Sequence, residues 1–341
     1  MPQSSAPRVR TVLVLALATV IPAAACGGAG GSDATGGATD DRPAAGWSFP
    51  DGRGGTVELD RTPVVVVAQS VVAGALWELG VVADGVFGPL RRADGSTDPS
   101  LGIADPDDFT SLGEVHGHIG VEKLAALHPD VIVTAMWDDD RYWGVEDATL
   151  DELEAIAPIV GIRLDDRPVT EPLARIAELA ASLGADADRI ATARAEFEAA
   201  SARLGSTLAA KPGLQAVAAS GSPNELYVAW PPGWPDLSYY RSLGLDLAIP
   251  EDHPTSGGFW ETLSWEAAGK YPADLILADS RGGTIDDILA FLPPSARRLP
   301  AVEAGQLAPW DAAPAYGYRN FARLLDRLAA DVARARTDVA P

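Results

Sequence analysis

The sequence contains a single cysteine, Cys26, in 341 residues. One cysteine cannot form a disulfide within the chain, and it excludes a zinc site built from several cysteines. Basic residues are also in the minority. The chain has 26 lysines and arginines and 48 aspartates and glutamates, so the formal net charge is -22. Because an acidic surface repels phosphate backbones, we expect no nucleic-acid partner.

Three motifs that mark common enzyme classes are missing from the sequence. It has no Gly-x-Ser-x-Gly elbow, no Walker-type phosphate loop and no His-Glu-x-x-His. Asp138, Asp139 and Asp140 beside Arg141 are the most enzyme-like feature, since paired carboxylates carry out glycoside hydrolysis. Three consecutive side chains cannot all face one substrate, and a solvated loop explains them better. We therefore expect a protein that is not an enzyme, with a secreted carbohydrate-active enzyme as the alternative.

The N-terminus has the composition of an export signal. Arg8 and Arg10 precede an apolar run over residues 11–22, and Ala23-Ala24-Ala25 follows. Charged, apolar and small residues in this order are typical of a signal peptide, and the apolar run is too short to span a membrane. The sequence therefore predicts a signal peptide over residues 1–25.

Cys26 follows the small residues directly and resembles the lipidated cysteine of a bacterial lipobox. Such a site usually has leucine where this chain has Ala23, so cleavage without lipidation is the alternative. Residues 26–46 are rich in Gly, Ala, Asp, Ser and Thr, a composition that favours a flexible tether. A tether suits an anchored domain. We expect an exported lipoprotein, held on the outer face of the cell membrane through Cys26.

A long helix is predicted over residues 186–211. Ile190, Phe197 and Leu204 recur every seven residues, which places them on one helix face, and Asp186 is a suitable N-cap. At ~1.5 Å per residue such a helix is about 37 Å long, enough to run along a whole small domain.

The chain on either side of this helix alternates between predicted strands and helices. Residues 64–68 form a continuous β-branched run, and residues 275–278 are a similar apolar run. Such runs are typical of strands that are buried on both faces of a parallel sheet. The alternation predicts one α/β lobe over residues 47–185 and another over residues 212–341.

A comparison of the two halves indicates a shared arrangement. A shift of 144 residues superposes Glu122 on Glu266 and Asp130 on Asp274. In each half, a helix that carries the glutamate is followed by a turn that contains the aspartate, and then by a buried strand. The identity between the halves is thin, so we interpret it as similar architecture.

Three segments resemble the recurring blocks of iron-siderophore solute-binding proteins. They are residues 62–67 (TPVVVV), 120–133 (GVEKLAALHPDVIV) and 299–306 (LPAVEAGQ). The resemblance covers residues 47–336. It implies two Rossmann-like α/β lobes joined by a single long α-helix, the fold of the class III periplasmic binding proteins, with limited closure of the lobes. It also implies a ligand in the cleft between the lobes. We expect a monomer with no cofactor of its own.

Members of this family are receptors for ABC importers. They dock on the permease through one glutamate per lobe, which pairs with arginines of the transporter. By residue match, the resemblance implies that Glu122 and Glu266 have this role.

Aromatic and arginine side chains are concentrated where ligands bind in open α/β sheets, beyond the carboxyl ends of the strands. Aromatic rings supply rigid contact area, and arginine supplies bidentate hydrogen bonds to anionic oxygens. A ferric siderophore fits such a site, because its iron arrives already chelated. Arg92, beside Arg91, belongs to the same group of residues. The predicted ligand-binding residues are Gln69, Ser70, Arg91, Trp137, Arg141, Tyr142, Trp143, Trp230, Trp234, Trp260, Arg281, Trp310, Tyr316 and Arg319.

Haem, cobalamin and a bare metal ion are alternative ligands. His116 and His118 flank Gly117, and His253 lies in the second half, so a Zn or Mn ion could bind across the cleft. The sequence has no histidine-rich acidic loop, and many aromatic side chains would serve no purpose around a naked ion. We therefore expect a chelate and no protein metal ligands.

Overall fold

The structure is a computed structural model that describes residues 46–138, 140–251 and 258–340. In these ranges, no helix is both long enough and apolar enough to cross a lipid bilayer. The predicted features that fall outside them are the signal peptide, Cys26, the tether up to residue 45, Asp139 and His253.

The first lobe contains a five-stranded parallel sheet with the order β5-β4-β3-β6-β7. An antiparallel hairpin of β1 (Trp47–Pro50) and β2 (Thr56–Leu59) precedes it. The strands of the sheet are β3 (Val66–Gln69), β4 (Gly85–Phe87), β5 (Ser111–Gly113), β6 (Val131–Met136) and β7 (Ile159–Arg163). The helices of this lobe are α1 (Ser70–Glu78), α2 (Val121–Leu127), α3 (Asp147–Ile156) and α4 (Thr170–Ser182).

Strand β6 explains why the apolar runs are continuous. Val131 and Val133 pack into the same core as α1 and α4, whereas Ile132 packs into the core that contains residues of α2 and α3. Successive side chains of a strand point to opposite faces, so a strand with helices on both sides needs apolar residues at every position.

Helix α5 (Ala187–Ala209) joins the lobes, and its bounds agree with the predicted long helix. The side chain of Asp186 accepts the N–H of Arg189 at 2.9 Å and caps the helix, as expected. Phe197 and Leu204 are buried. The buried face of α5 packs along the C-terminal helix.

The second lobe contains a mixed sheet with the order β11-β9-β8-β12-β13, and β10 pairs with β8. The strands are β8 (Gln215–Gly221), β9 (Glu225–Ala229), β10 (Asp246–Leu247), β11 (Trp260–Ser264), β12 (Leu275–Asp279) and β13 (Leu307–Trp310). The helices are α6 (Pro235–Ser242), α7 (Ile285–Phe291), α8 (Pro300–Glu303) and α9 (Tyr318–Arg334). Strands β9 and β11 run antiparallel to their neighbours, whereas β8, β12 and β13 are parallel.

One sequence prediction about local structure is corrected. The first strand begins at Val66 and not at residue 64, because the N–H groups of Val64 and Val65 donate to the carboxylate of Asp130. The segment Trp265–Lys270 forms a 3-10 helix, whereas its counterpart α2 is an α-helix.

The turn before the strand is built in the same way in each lobe. The N–H of Asp130 donates to the carbonyl of Val65, and the N–H of Asp274 donates to the carbonyl of Gln215, both at 2.8 Å. Each carboxylate also accepts a backbone N–H at the start of the first parallel strand of its lobe. The donor is Val65 for Asp130 and Gln215 for Asp274. The pairing of Asp130 with Asp274 in the sequence comparison therefore corresponds to the same contact in the two lobes.

Candidate functional site

A cleft of about 960 Å³ lies between the lobes. In the first lobe the strand order reverses between β3 and β6, and in the second lobe it reverses between β8 and β12. Residues beyond the carboxyl ends of β3, β12 and β13 line the cleft, which is where open α/β sheets bind ligands. Its volume suits a small-molecule ligand. The cleft is therefore the candidate binding site.

Three of the predicted ligand-binding residues line this cleft, namely Gln69, Trp143 and Arg281, and so does Arg92. Gln69 ends β3 and is 3% exposed. Its side-chain oxygen accepts the N–H of Val71 at 3.0 Å and caps α1, while its amide donates to the hydroxyl of Ser70. Gln69 thus has a fixed orientation at the cleft wall, and Ser70 is fully buried behind it.

Trp143 is fixed to β6 through its backbone. Its N–H donates to the carbonyl of Ala135 at 2.8 Å, and its carbonyl accepts the hydroxyl of Thr134 at 2.6 Å. The indole N–H donates to Nδ1 of His116 at 2.9 Å, and His116 also lines the cleft. The ring packs edge-on against Trp137, with 5.2 Å between the ring centroids.

Most of the other predicted aromatic residues pack on one another and not along the cleft wall. Trp137 of the first lobe lies at the centre, and its ring contacts Trp234, Phe259 and Tyr316 of the second lobe at centroid distances of 5.5, 5.8 and 6.0 Å. Edge-to-face contacts of this kind are favourable beyond the area that they bury. The interlobe aromatic cluster consists of Trp137, Trp143, Trp234, Phe259, Trp260, Trp310 and Tyr316.

Several polar atoms within and beneath this cluster are buried. Trp310 is 3% exposed, and its N–H donates to Oδ2 of Asp236 at 2.6 Å. The other carboxylate oxygen of Asp236, the hydroxyl of Tyr316 and the indole nitrogen of Trp137 are buried without a hydrogen-bond partner in the described part of the chain. Burial raises the pKa of Asp236 to about 7, although the hydrogen bond from Trp310 opposes this.

The four predicted arginines each pair with a carboxylate of the chain. The pairs are Arg91 with Asp107, Arg141 with Asp138, Arg281 with Asp279 and Arg319 with Glu196. Arg281 is held by both oxygens of Asp279, at 2.7 to 3.0 Å. For the side chain of Arg92, the described residues offer no hydrogen-bonded partner. Acidic neighbours therefore neutralise these four arginines, of which Arg281 alone lines the cleft. Their role in ligand binding stays a prediction.

Two further predicted residues lie away from the cleft wall. Tyr142 is 3% exposed, and its hydroxyl donates to Asp51 at 3.1 Å beneath the guanidinium of Arg53. Burial, with Asp51 close by, raises the pKa of Tyr142. Trp230 is partly buried, and its backbone N–H donates to Phe259 at 2.8 Å. Neither residue lines the cleft.

Sequence reasoning missed the acidic residues of the cleft. They are Asp94, Asp98, Asp287 and Asp311. Asp311 directly follows β13, so the rule used for the other strand ends would have found it. Asp94 and Asp98 lie in the long connection between β4 and β5, where no periodic pattern indicates which side chains face the cleft.

The histidines do not form part of a metal-binding cluster in the described residues. Among these residues, no three or more His, Cys, Asp or Glu side chains lie close enough together to hold an ion. Nδ1 of His116 already accepts the indole N–H of Trp143.

A second cavity, of about 170 Å³, lies inside the second lobe between the sheet and α7 and α8. Its walls are mainly apolar and include Val217, Leu226, Trp265 and Leu292. It is much smaller than the interlobe cleft and offers few polar groups. A bulky, oxygen-rich ligand therefore fits the interlobe cleft and not this cavity.

The sequence profile of the periplasmic binding protein family matches residues 94–314, more than half of the chain. Among solved structures, the chain is similar to DesE, a ferric-siderophore receptor protein from Streptomyces coelicolor. The two are 40% identical, with a TM-score of 0.80, over 85% of this chain and 99% of DesE. A comparison with curated proteins gives no match.

More distant structures share the fold. A siderophore periplasmic binding protein from the fuscachelin gene cluster of Thermobifida fusca is 22% identical, with a TM-score of 0.57, over 79% of this chain and 96% of that one. The petrobactin-binding protein YclQ from Bacillus subtilis is 15% identical, with a TM-score of 0.63, over 84% of this chain and 98% of that one. With its two α/β lobes and single connecting helix, the chain belongs to the periplasmic binding protein family, in class III.

Proposed function

We propose that this protein is an extracytoplasmic receptor that binds a ferric siderophore in the interlobe cleft and delivers it to an ABC importer. The observation that carries the proposal is the cleft of about 960 Å³ at the carboxyl ends of the strands. It occurs in a chain that is 40% identical to DesE, itself described as a ferric-siderophore receptor. The receptor performs no chemistry on the ligand, and the iron is cargo.

The charges of the cleft indicate which kind of ferric complex it accepts. The charged residues that line it are Asp94, Asp98, Asp287, Asp311, Arg92 and Arg281. Asp311 pairs with Arg327 and Arg281 pairs with Asp279, which leaves three carboxylates against the guanidinium of Arg92. Such a lining favours an uncharged or cationic ligand over a strongly anionic one. Three hydroxamates, with one negative charge each, neutralise Fe(III), whereas three catecholates leave a large negative charge. We therefore propose a ferric tris-hydroxamate as the ligand class.

A fluorescence titration of residues 44–341, which form one compact unit, tests the proposal. We expect saturable quenching of tryptophan fluorescence by ferrioxamine B, a cationic tris-hydroxamate, because Trp143 lines the cleft. The iron-free chelator serves as the control. Ferric enterobactin, an anionic tris-catecholate, should bind at least about tenfold more weakly.

Each other result in the same titration contradicts part of the proposal. Tighter binding of ferric enterobactin would contradict the charge argument alone. A response to haem, cobalamin or Zn²⁺ in place of both ferric complexes would contradict the siderophore assignment and support one of the alternative ligands.

Periplasmic binding proteins act outside the cytoplasm, and the N-terminal composition supports export followed by lipid attachment at Cys26. We expect cells that express the full chain to incorporate a palmitate analogue into it. Cys26→Ala should abolish the label while leaving the protein exported. Equal labelling of the wild type and the variant would show that the anchor is not at Cys26.

The proposed docking residues are Glu122 in the first turn of α2 and Glu266 in the 3-10 helix Trp265–Lys270. Both side chains are exposed, and neither lines the cleft. Each lies shortly before the equivalent aspartate turn, at Asp130 or Asp274. This equivalent placement supports the proposal that each lobe presents one glutamate to the permease.

A further inference from the structure

His116 and Trp143 form a polar aromatic pair at the wall of the cleft. Nε1 of Trp143 donates to Nδ1 of His116 at 2.9 Å, and the ring planes meet at 64°. The backbone of Trp143 is hydrogen-bonded to Ala135 and Thr134, and its ring packs against Trp137, so the indole is the fixed member of the pair. The position of the His116 ring therefore follows from that of Trp143.

This hydrogen bond decides which tautomer His116 adopts. An indole N–H can only donate, so Nδ1 of His116 must accept and carries no proton. In the neutral imidazole the proton is then on Nε2. The His116 ring is covered by Trp143 on one side and open to solvent on another, and the described residues include no hydrogen-bond partner for Nε2. A neutral N–H donor is thus available at the cleft wall.

The surroundings of His116 favour the neutral imidazole. Partial burial lowers the pKa of His116, and Glu146, the one charged side chain in the described residues that acts on it, only partly offsets this. An imidazolium would carry an N–H at Nδ1, which would face the indole N–H of Trp143 at 2.9 Å. Two donors cannot bond to each other, so the pairing itself also opposes protonation.

A neutral donor suits the proposed ligand. The oxygens of a tris-hydroxamate complex accept hydrogen bonds, but a complex that is already cationic gains nothing from a further cation beside it. We propose that His116 is a specificity-determining residue, whose Nε2–H, held in place by Trp143, donates to an oxygen of the bound ferric chelate. This inference rests on the proposed function and names a contact within the same cleft.

Two substitutions of His116 distinguish the roles of its two ring nitrogens. Glutamine places an amide N–H near the position of Nε2, whereas asparagine places an oxygen near Nδ1, where it can still accept from Trp143. With ferrioxamine B as the probe in calorimetry, His116→Gln should bind within about threefold of the wild type, and His116→Asn should lose at least about tenfold. His118→Asn, two residues away and outside the cleft lining, is the matched control and should bind as the wild type does.

Nitrogen-15 NMR of ring-labelled histidine in the ligand-free protein tests the tautomer independently. We expect the signals that His116→Asn removes to be those of an Nε2–H imidazole, and Trp143→Phe should convert them to a mixture of tautomers. An Nδ1–H tautomer in the free protein, or wild-type affinity in His116→Asn, overturns the inference while the proposed function stands. Failure of the wild type to bind ferrioxamine B overturns both.

Discussion

A variant with alanine at both Glu122 and Glu266 should bind its ferric chelate with the affinity of the wild type and support no measurable uptake. Both carboxylates are exposed and lie outside the cleft lining, so their removal leaves the ligand contacts unchanged. Truncation of one partner of a charge pair that is buried at a protein interface costs about 2 to 5 kcal/mol. Loss of one pair in each lobe should therefore weaken docking by several orders of magnitude.

Each substitution made singly should cause a smaller loss of uptake. Each single variant keeps one lobe attached, so uptake should fall but remain detectable. The measurement is uptake of a radiolabelled ferric chelate by cells that carry the importer and depend on this receptor.

A matched control removes the same charge elsewhere. Glu152 in α3 and Glu303 in α8 are also exposed glutamates on helices, one in each lobe. A variant with alanine at both should import as the wild type does. Normal import by the Glu122/Glu266 variant would show that docking uses other residues, and equal losses in both variants would show that only net charge matters.

Asp236→Asn should stabilise the protein at pH 8, and the gain should be clearly smaller at pH 5. Asp236 is 1% exposed, and one of its carboxylate oxygens has no partner in the described residues. Burial raises its pKa to about 7, with Asp311 adding to the effect, from an ordinary value of 3.8. Asparagine keeps an oxygen that can accept from the indole of Trp310.

The direction of the pH dependence follows from the raised pKa. Folding favours the protonated carboxyl, so its contribution to stability is complete below pH 3.8 and is lost as the pH rises through about 7. At pH 8 the wild type carries a buried charge that the variant lacks. We expect the variant to gain about 1 to 3 kcal/mol there, since each pKa unit corresponds to about 1.4 kcal/mol and relaxation of the site reduces the effect.

Chemical unfolding of both proteins at pH 5 and pH 8 measures this difference. Glu78, whose pKa burial also raises to about 7, gives a similar pH dependence in both proteins and cancels in the comparison. Asp94→Asn is the control, and its effect on stability at pH 8 should have the opposite sign. Hydrogen bonds from Ser96 lower the pKa of Asp94, so folding favours the ionised carboxylate that this variant lacks. A variant that is less stable than the wild type at pH 8 would show that Asp236 is ionised without cost in the folded protein.

The sequence alone determined the main elements of the fold. Helix α5 was predictable from the spacing of Phe197 and Leu204 and from its Asp186 cap, because both signals act within a few residues. The strands buried on both faces were predictable from continuous apolar runs. The equivalent positions of Asp130 and Asp274 in the two halves of the sequence indicated the turn that both lobes share.

Only the tertiary structure decided which side chains face the cleft. A residue that follows a strand lies at the correct edge of the sheet. Its position in the sequence does not show whether its side chain points into the cleft. Trp137 and Trp234 belong to different lobes and have α5 between them in the chain, yet their rings pack together. His116 is 27 residues from the indole that orients it. Contacts of this kind depend on distances of a few ångströms between side chains, and those distances are set by how the elements and lobes pack and not by spacing in the sequence.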